Sequence, residues 1–407
     1  MLNWAKQFNI FCFLDNQQYT TQPRRYECIL GAGVKKETVA TDLNSLSALL
    51  TDNSWQLGHL SYELKGPLHG LHTEKQNKIG FPPFYFFVPE TLVLIRDNVL
   101  EIIADQPDSI YNQIVFQKDV FEPSTSSFPI QSRLSKTDYI ELVQQLQKHI
   151  LLGDCYEINF CQEFFADDVV IDPLSVYKKL ITISPNPFSA LYKWKDSWLI
   201  CAIPERFLMK EGNKVLSQPM KGTIRRDLLS SSNDEKLKHH LQSSTKDQSE
   251  NVMVVDLVRN DLSRICKESS VKVDELFGVY SFPQVHQMVS TVSGELRKEV
   301  SFAEIIQATF PMGSMTGAPK HRVMQLIDQY EPCSRGIFSG SVGYIDPQGN
   351  FDFNVVIRSI MYNATTRYLS YQAGSGITFY SDPEKEWEEC LLKAEAIKKV
   401  LTGEPAL

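Results

Sequence analysis

Two pairs of carboxylates and one lysine are the residues in this chain best suited to chemistry. Asp247 and Glu250 stand three apart at the head of an expected helix. Glu386 and Glu389 stand three apart on the last helical segment, with Lys393 four further on. Spacings of three and four put side chains on one helical face. Two such helices meeting would aim four carboxylates into one space, an oxygen-only donor set suited to a hard divalent cation such as Mg2+. The plainer alternative is that acidic residues in a first turn complement the helix dipole and that Glu389 and Lys393 form an ordinary surface pair; spacing alone leaves both open. The lysine is Lys221, in Gln218-Pro-Met-Lys-Gly-Thr-Ile-Arg-Arg226. It precedes Gly222, where the backbone is free to turn and its amides can approach an anion. A lysine held in a closed pocket can act as base or nucleophile, whereas one in an open turn is merely solvated.

Other motifs exclude as much as they suggest. Phe310-Pro-Met-Gly-Ser-Met-Thr-Gly-Ala-Pro-Lys320 fails as a phosphate loop, because Ala318 and Pro319 separate the second glycine from the lysine. Gln372-Ala-Gly-Ser-Gly-Ile377 is too short for a dinucleotide fingerprint. Both can still offer backbone N–H groups to a carboxylate. Val254 to Arg264 carries Asp256, Arg259, Asn260 and Asp261 through an apolar run, which predicts a buried ion-pair network bracing the acidic residues before it. His286 and Cys155 are each alone in apolar surroundings and read, on their own, as core residues.

These groups must be positioned by a large fold. The chain has 407 residues, 43% of them hydrophobic and 22% charged, ordinary for a globular protein that buries a full core. Its 41 basic and 49 acidic residues leave a net charge of −8. No basic stripe gathers on one segment, so nucleic-acid binding is not expected. The longest apolar stretch, Phe84 to Ile95, is cut by Pro89 and Glu90, far short of the roughly 18 residues that span a membrane. Eight scattered cysteines form no CxxC pair, and the N-terminus lacks a signal-peptide pattern. Together these predict unpaired thiols in a cytoplasmic protein.

Short apolar runs in the first hundred residues read as strands. Residues 105–137 read as a linker, and Ser135-Lys-Thr-Asp138 as a capping box opening a helix. Beyond it, strands at 156–165, 190–202, 340–345, 354–362 and 368–373 mix with helices at 174–184, 233–264, 302–309, 320–329 and 384–401. The absence of a regular βαβ rhythm predicts an α+β fold of antiparallel sheets flanked by helices. Segments 1–104, 105–137 and 138–407 are the expected divisions, with the last an interleaved core on which the first packs.

Taken together, the blocks Gly153-Asp-Cys-Tyr-Glu-Ile-Asn-Phe160, Ile203-Pro-Glu-Arg-Phe207, Pro219-Met-Lys-Gly-Thr223, Glu250 to Asp261, Gly317-Ala-Pro-Lys320, Val355-Val-Ile-Arg-Ser359, Gln372 to Gly376 and Asp382 to Ala394 resemble the chorismate-utilising enzymes. That family includes the anthranilate, aminodeoxychorismate, isochorismate and salicylate synthases. Lysine at position 221 is similar to the aminodeoxychorismate branch, where anthranilate and isochorismate synthases usually carry alanine. The resemblance implies Mg2+-dependent amination of chorismate at C4, on the route to p-aminobenzoate and folate. Alternatives are anthranilate formation with loss of pyruvate, or an inactive subunit that only binds an amidotransferase.

Residue by residue, the resemblance implies Lys221 as nucleophile and Glu205 as general acid. Glu250 and Glu389 would hold Mg2+, with Glu386 and Asp247 acting directly or through water; Asp247 is one methylene shorter than the glutamate usual there. Gly222, Thr223, Ser314 and nearby His286 would seat the ring. Arg358, Lys393 and the Gly374-Ser375-Gly376 amides would take the side-chain carboxylate. Glu157 replaces a residue that is commonly glutamine in the synthases and lysine in the water-adding enzymes. Phe338 replaces a tyrosine of some relatives. No cysteine has the strand–helix setting of an amidotransferase nucleophile, so ammonia is expected from a separate glutamine amidotransferase subunit, in a heterodimer.

Overall fold

The computed structural model describes residues 1–19, 23, 25–39, 43–71, 73–117 and 128–403. Its strands, rich in Val, Ile, Phe and Tyr, assemble into an eleven-stranded and a ten-stranded sheet, with helices covering the outer faces. The pairing is antiparallel throughout the named strands. The Glu157–Ala166 strand is buried at every position, because one face meets the core and the other is covered by helices; such a strand has no solvent face to alternate toward. Where the helix Phe302–Thr309 covers the ten-stranded sheet, Phe302 packs with Phe86, Phe351 and Phe353, edge-on or tilted, with ring centroids 5.5–6.1 Å apart.

Strands from both ends of the sequence share both sheets. Ile10–Asp15 pairs with Ser189–Trp194, and Gln56–Leu60 pairs with Ser341–Ile345. Within the expected linker lie a helix, Pro107–Phe116, and a two-residue strand, Gln131–Ser132; its residues 118–127 are outside the described ones. Among the described residues no helix is long and apolar enough to cross a membrane. All eight cysteines are unpaired.

Three expectations are corrected. The strand expected over 354–362 is two strands in different sheets, Phe351–Asn354 and Ser359–Asn363. The chain crosses between sheets at Val355 to Arg358, and Arg358 takes a left-handed φ of 51°. The run 190–202 is a hairpin, Ser189–Trp194 and Ser197–Cys201. The helix expected over 233–264 is broken at Ser244, whose hydroxyl accepts from the Asp247 amide and caps a second helix, Thr245–Ser263. The capping box at Ser135 is present.

The buried network expected over Val254 to Arg264 is also absent as such. Asp256 and Arg259 pair at 2.9 Å in the open, and only Asp261 is buried, bonded to Lys320 at 2.5 Å. Helical periodicity turns Asp256, Arg259 and Asn260 outward while Val254, Val255, Val258, Asp261 and Leu262 face in.

The inward polar anchor is Arg335. It is fully buried, donates twice to Glu331 at 2.6 and 2.8 Å, and reaches the carbonyls of Met315 and Asn159 at 2.7 and 2.8 Å. It therefore ties the Glu157–Ala166 strand to the loop that carries Ser314. Arg335→Ala would leave Glu331 as an unpaired buried charge. We expect a loss of about 3–5 kcal/mol in denaturant unfolding, against less than about 1 kcal/mol for the exposed Arg259→Ala.

Candidate active site

A cavity of about 900 Å3 opens between the ends of the two sheets and is walled by two helices. Lys221 reaches it from the Met220–Arg225 strand. Against its neighbour Val285–Glu295, that strand is paired at Met220–Val289 and again at Thr223–Gln287, a register shift that inserts a bulge at Lys221 and Gly222. Bulges bend a strand and re-aim its side chains. Gly222 has φ +96°, and a Cβ there would meet Asp247 at 3.1 Å, so the sequence places glycine where the bulge needs it. Asn251 holds the bulge from the helix behind: its amide reaches the Lys221 carbonyl at 3.4 Å while its oxygen accepts from Ser290 at 2.6 Å.

The Lys221 ammonium lies 2.5 Å from Glu157 Oε1, with 13% and 4% of the two side chains exposed. Burial alone would depress the lysine, but Glu157, with Glu250 behind it, outweighs burial and holds it above its ordinary value. Gly376 makes room for the pair, since a Cβ there would lie 2.1 Å from Lys221 Nζ and 2.6 Å from Glu157 Oε1.

Glu205 projects into the same cavity just ahead of the Arg206–Glu211 strand. Arg206 supports it from the opposite side, bidentate on Asp352 at 2.9 Å and bonded to Gln218 at 2.6 Å. Burial pushes Glu205 up to about 7, with the Ser314 hydroxyl and Met220 amide opposing. A carboxyl that is half protonated near neutrality can donate to a leaving group. Asn159 fixes Ser314 in turn, donating to its carbonyl at 2.8 Å.

Both helices bring carboxylates. Asp247 and Glu250 line the cavity from Thr245–Ser263, and Glu389 from Pro383–Thr402. Glu386 is buried and does not line the wall. Glu250 lies 3.8 Å from Lys246, and Glu389 lies 2.8 Å from Lys393. Burial raises Glu250 to about 6, whereas Lys393 holds Glu389 down at about 2. Lys246 is held above its ordinary value, against partial burial, by Glu250, Glu386, Glu389 and Asp247 together. The four carboxylates thus share one field and already draw a cation to it, a hard-oxygen donor set that suits Mg2+. As they stand, no three His, Cys, Asp or Glu side chains among the described residues converge closely enough to chelate an ion.

Of the remaining expected residues, Gly222, Thr223, Ser314, Arg358, Gly374 and Lys393 line the cavity. Lys393 also donates to the Gly374 carbonyl at 2.9 Å. Ser375 turns its hydroxyl away, 3.5 Å from Tyr139, and Gly376 lies against Lys221. His286 is a correction: it does not reach the cavity. Val285 and Gln287 line the wall, so strand alternation sends His286 to the far face. There it is buried between Asp234 at 3.0 Å and Ser281 at 2.9 Å. Sequence reasoning missed Lys246 and Asn251, although both sit beside Glu250, and left Glu157 unassigned.

The model of the chorismate binding enzyme family matches residues 12–399. The chain is 33% identical to an anthranilate synthase component I-like protein of Synechocystis sp., over 85% of this chain and 72% of that one. It is 38% identical to aminodeoxychorismate synthase component 1 of Salmonella typhimurium, over 84% and 75%. It is 41% identical to the chloroplastic aminodeoxychorismate synthase of Arabidopsis thaliana over 74% of this chain, but spans only 32% of that longer protein. The fold is similar to that of anthranilate synthase component I from Streptococcus pneumoniae, with a TM-score of 0.80, 24% identity and 93% of each chain covered. A family match across nearly the whole chain leads to one conclusion: this chain belongs to the chorismate-binding enzymes.

Proposed function

We propose that the chain aminates chorismate at C4, giving 4-amino-4-deoxychorismate. The observation that carries this reading is one cavity holding both a sealed lysine, Lys221, and a carboxyl raised to about 7, Glu205. Glu205 gives its proton to the C4 hydroxyl, which leaves as water. Lys221, once deprotonated, attacks C2 in the same step, forming a covalent intermediate. Ammonia then adds at C4, the Lys221–C2 bond breaks, and the enolpyruvyl ether is retained. The new ammonium at C4 returns one proton to Glu205.

Arg358 and Lys393 take the side-chain carboxylate, Arg358 being suited to a bidentate grip. Thr223, Ser314 and the Gly222 amide seat the ring, and the Gly374 amide joins Arg358 and Lys393 on the side-chain carboxylate. Glu250 and Glu389, with Asp247 and Glu386, are the residues that would hold Mg2+, which when bound would neutralise the ring carboxylate. Ammonia comes from a glutamine amidotransferase partner. The names of the aminodeoxychorismate synthase relatives support this reading, and so does Lys221, at a position where the resemblance gives the anthranilate branch an alanine.

The deciding experiment supplies chorismate, Mg2+ and ammonium, with and without the lyase that would consume the product, and identifies the product by mass. Aminodeoxychorismate is expected, with Lys221→Ala losing the covalent adduct. Anthranilate with pyruvate would overturn the reading, and no turnover would leave a silent amidotransferase-binding subunit. A second test is the pH profile. Because Glu205 must be protonated to act, kcat/KM at fixed free ammonia should fall as pH rises through about 7. Ser314→Ala, which removes a bond favouring the carboxylate, should move that fall to higher pH, and Glu205→Gln should cost about 10^2- to 10^4-fold. For the metal, Glu250→Ala should weaken Mg2+ binding by calorimetry by at least about tenfold while leaving the far-ultraviolet dichroism unchanged.

A further inference from the structure

Lys221 meets the cavity as a cation, and a cation cannot attack carbon. Its ammonium is 2.5 Å from Glu157 Oε1. The other groups that raise it, Glu250 and Glu389, lie on the two helices, and Glu205 stands just ahead of the Arg206–Glu211 strand; among these only Glu157 is hydrogen-bonded to it. Glu157 sits on the Glu157–Ala166 strand, Lys221 on the opposite sheet, and Gly376 is cut away to let them meet.

The second oxygen, Glu157 Oε2, is buried and has no hydrogen-bond partner among the described residues. The carboxylate is therefore balanced by Lys221 on one oxygen alone. A buried carboxylate that loses its only counter-charge is destabilised, and taking up a proton relieves it. We propose that Glu157 is a further catalytic residue, the base that takes the proton from Lys221 and so turns it into the nucleophile.

The inference rests on the reading of Lys221 as nucleophile, and its protons balance. One passes from Lys221 Nζ to Glu157, and the neutral amine bonds to C2. When ammonia adds at C4, the C2–N bond breaks and its electron pair returns to nitrogen. Glu157 then gives the proton back, restoring the ion pair. A glutamine at this position could hold the lysine but could not take its proton.

The test follows adduct formation at Lys221 by intact mass, with chorismate and Mg2+ but without ammonium. Glu157→Gln keeps the shape and should slow the adduct at neutral pH by about a hundredfold while leaving chorismate affinity within about twofold. Compared with the wild-type protein at the same pH, that deficit should shrink as the pH is raised, because solvent then removes the lysine proton while both proteins lose the Glu205 proton alike. Glu157→Ala should be similarly slow and accelerate on adding formate, a small carboxylate able to replace the missing base. An adduct forming in Glu157→Gln at the wild-type rate, or no formate rescue of Glu157→Ala, would overturn the assignment while leaving Lys221 as nucleophile. No adduct in the wild-type protein would overturn both.

Discussion

Charge buried between two apolar sheets is the constraint from which the rest of this structure follows. A lysine and a carboxylate taken out of water are each destabilised by several kcal/mol unless paired, and Lys221 and Glu157 satisfy that requirement only by meeting across the gap between sheets. To meet, one strand must bulge, one position must lack a Cβ, and the strand carrying Glu157 must be held rigidly. The Lys221–Gly222 bulge, Gly376 and the Arg335 anchor answer these needs in turn.

The same accounting explains the two acidic helices. Four carboxylates brought near one another repel, so cations must accompany them. Lys246 and Lys393 supply that charge from within the chain. One consequence is that neighbouring carboxylates titrate differently. Glu389, beside Lys393, is held low, while Glu250 and Glu205 are raised by burial. Unlike environments for like groups allow one site to hold both an acid, Glu205, and an anion, Glu389.

Much was legible because the chemistry-bearing residues are packed into short blocks. The spacing of Glu386, Glu389 and Lys393 placed Glu389 and Lys393 on one face, where they do pair. The motif around Pro204 pointed to Glu205, and the strand-rich pattern without βαβ rhythm pointed to antiparallel sheets. The errors share a cause. His286, the Val254–Arg264 run and the 354–362 strand all required knowing which side of an element faces what. Periodicity groups residues on a face but does not say which neighbour that face meets.

What the sequence determined by itself was the set of candidate groups and part of the local geometry around them: the Ser135 cap, the glycines, and the i,i+3 and i,i+4 spacings. These depend on residues close along the chain. What the tertiary structure alone decided was pairing. Glu157 and Lys221 are 64 residues apart, Asp261 and Lys320 are 59 apart, and Asp234 and His286 are 52 apart. Coulomb and hydrogen-bond energies depend on distance in space, set by strand order and by where the chain crosses between sheets, so no local pattern encodes them.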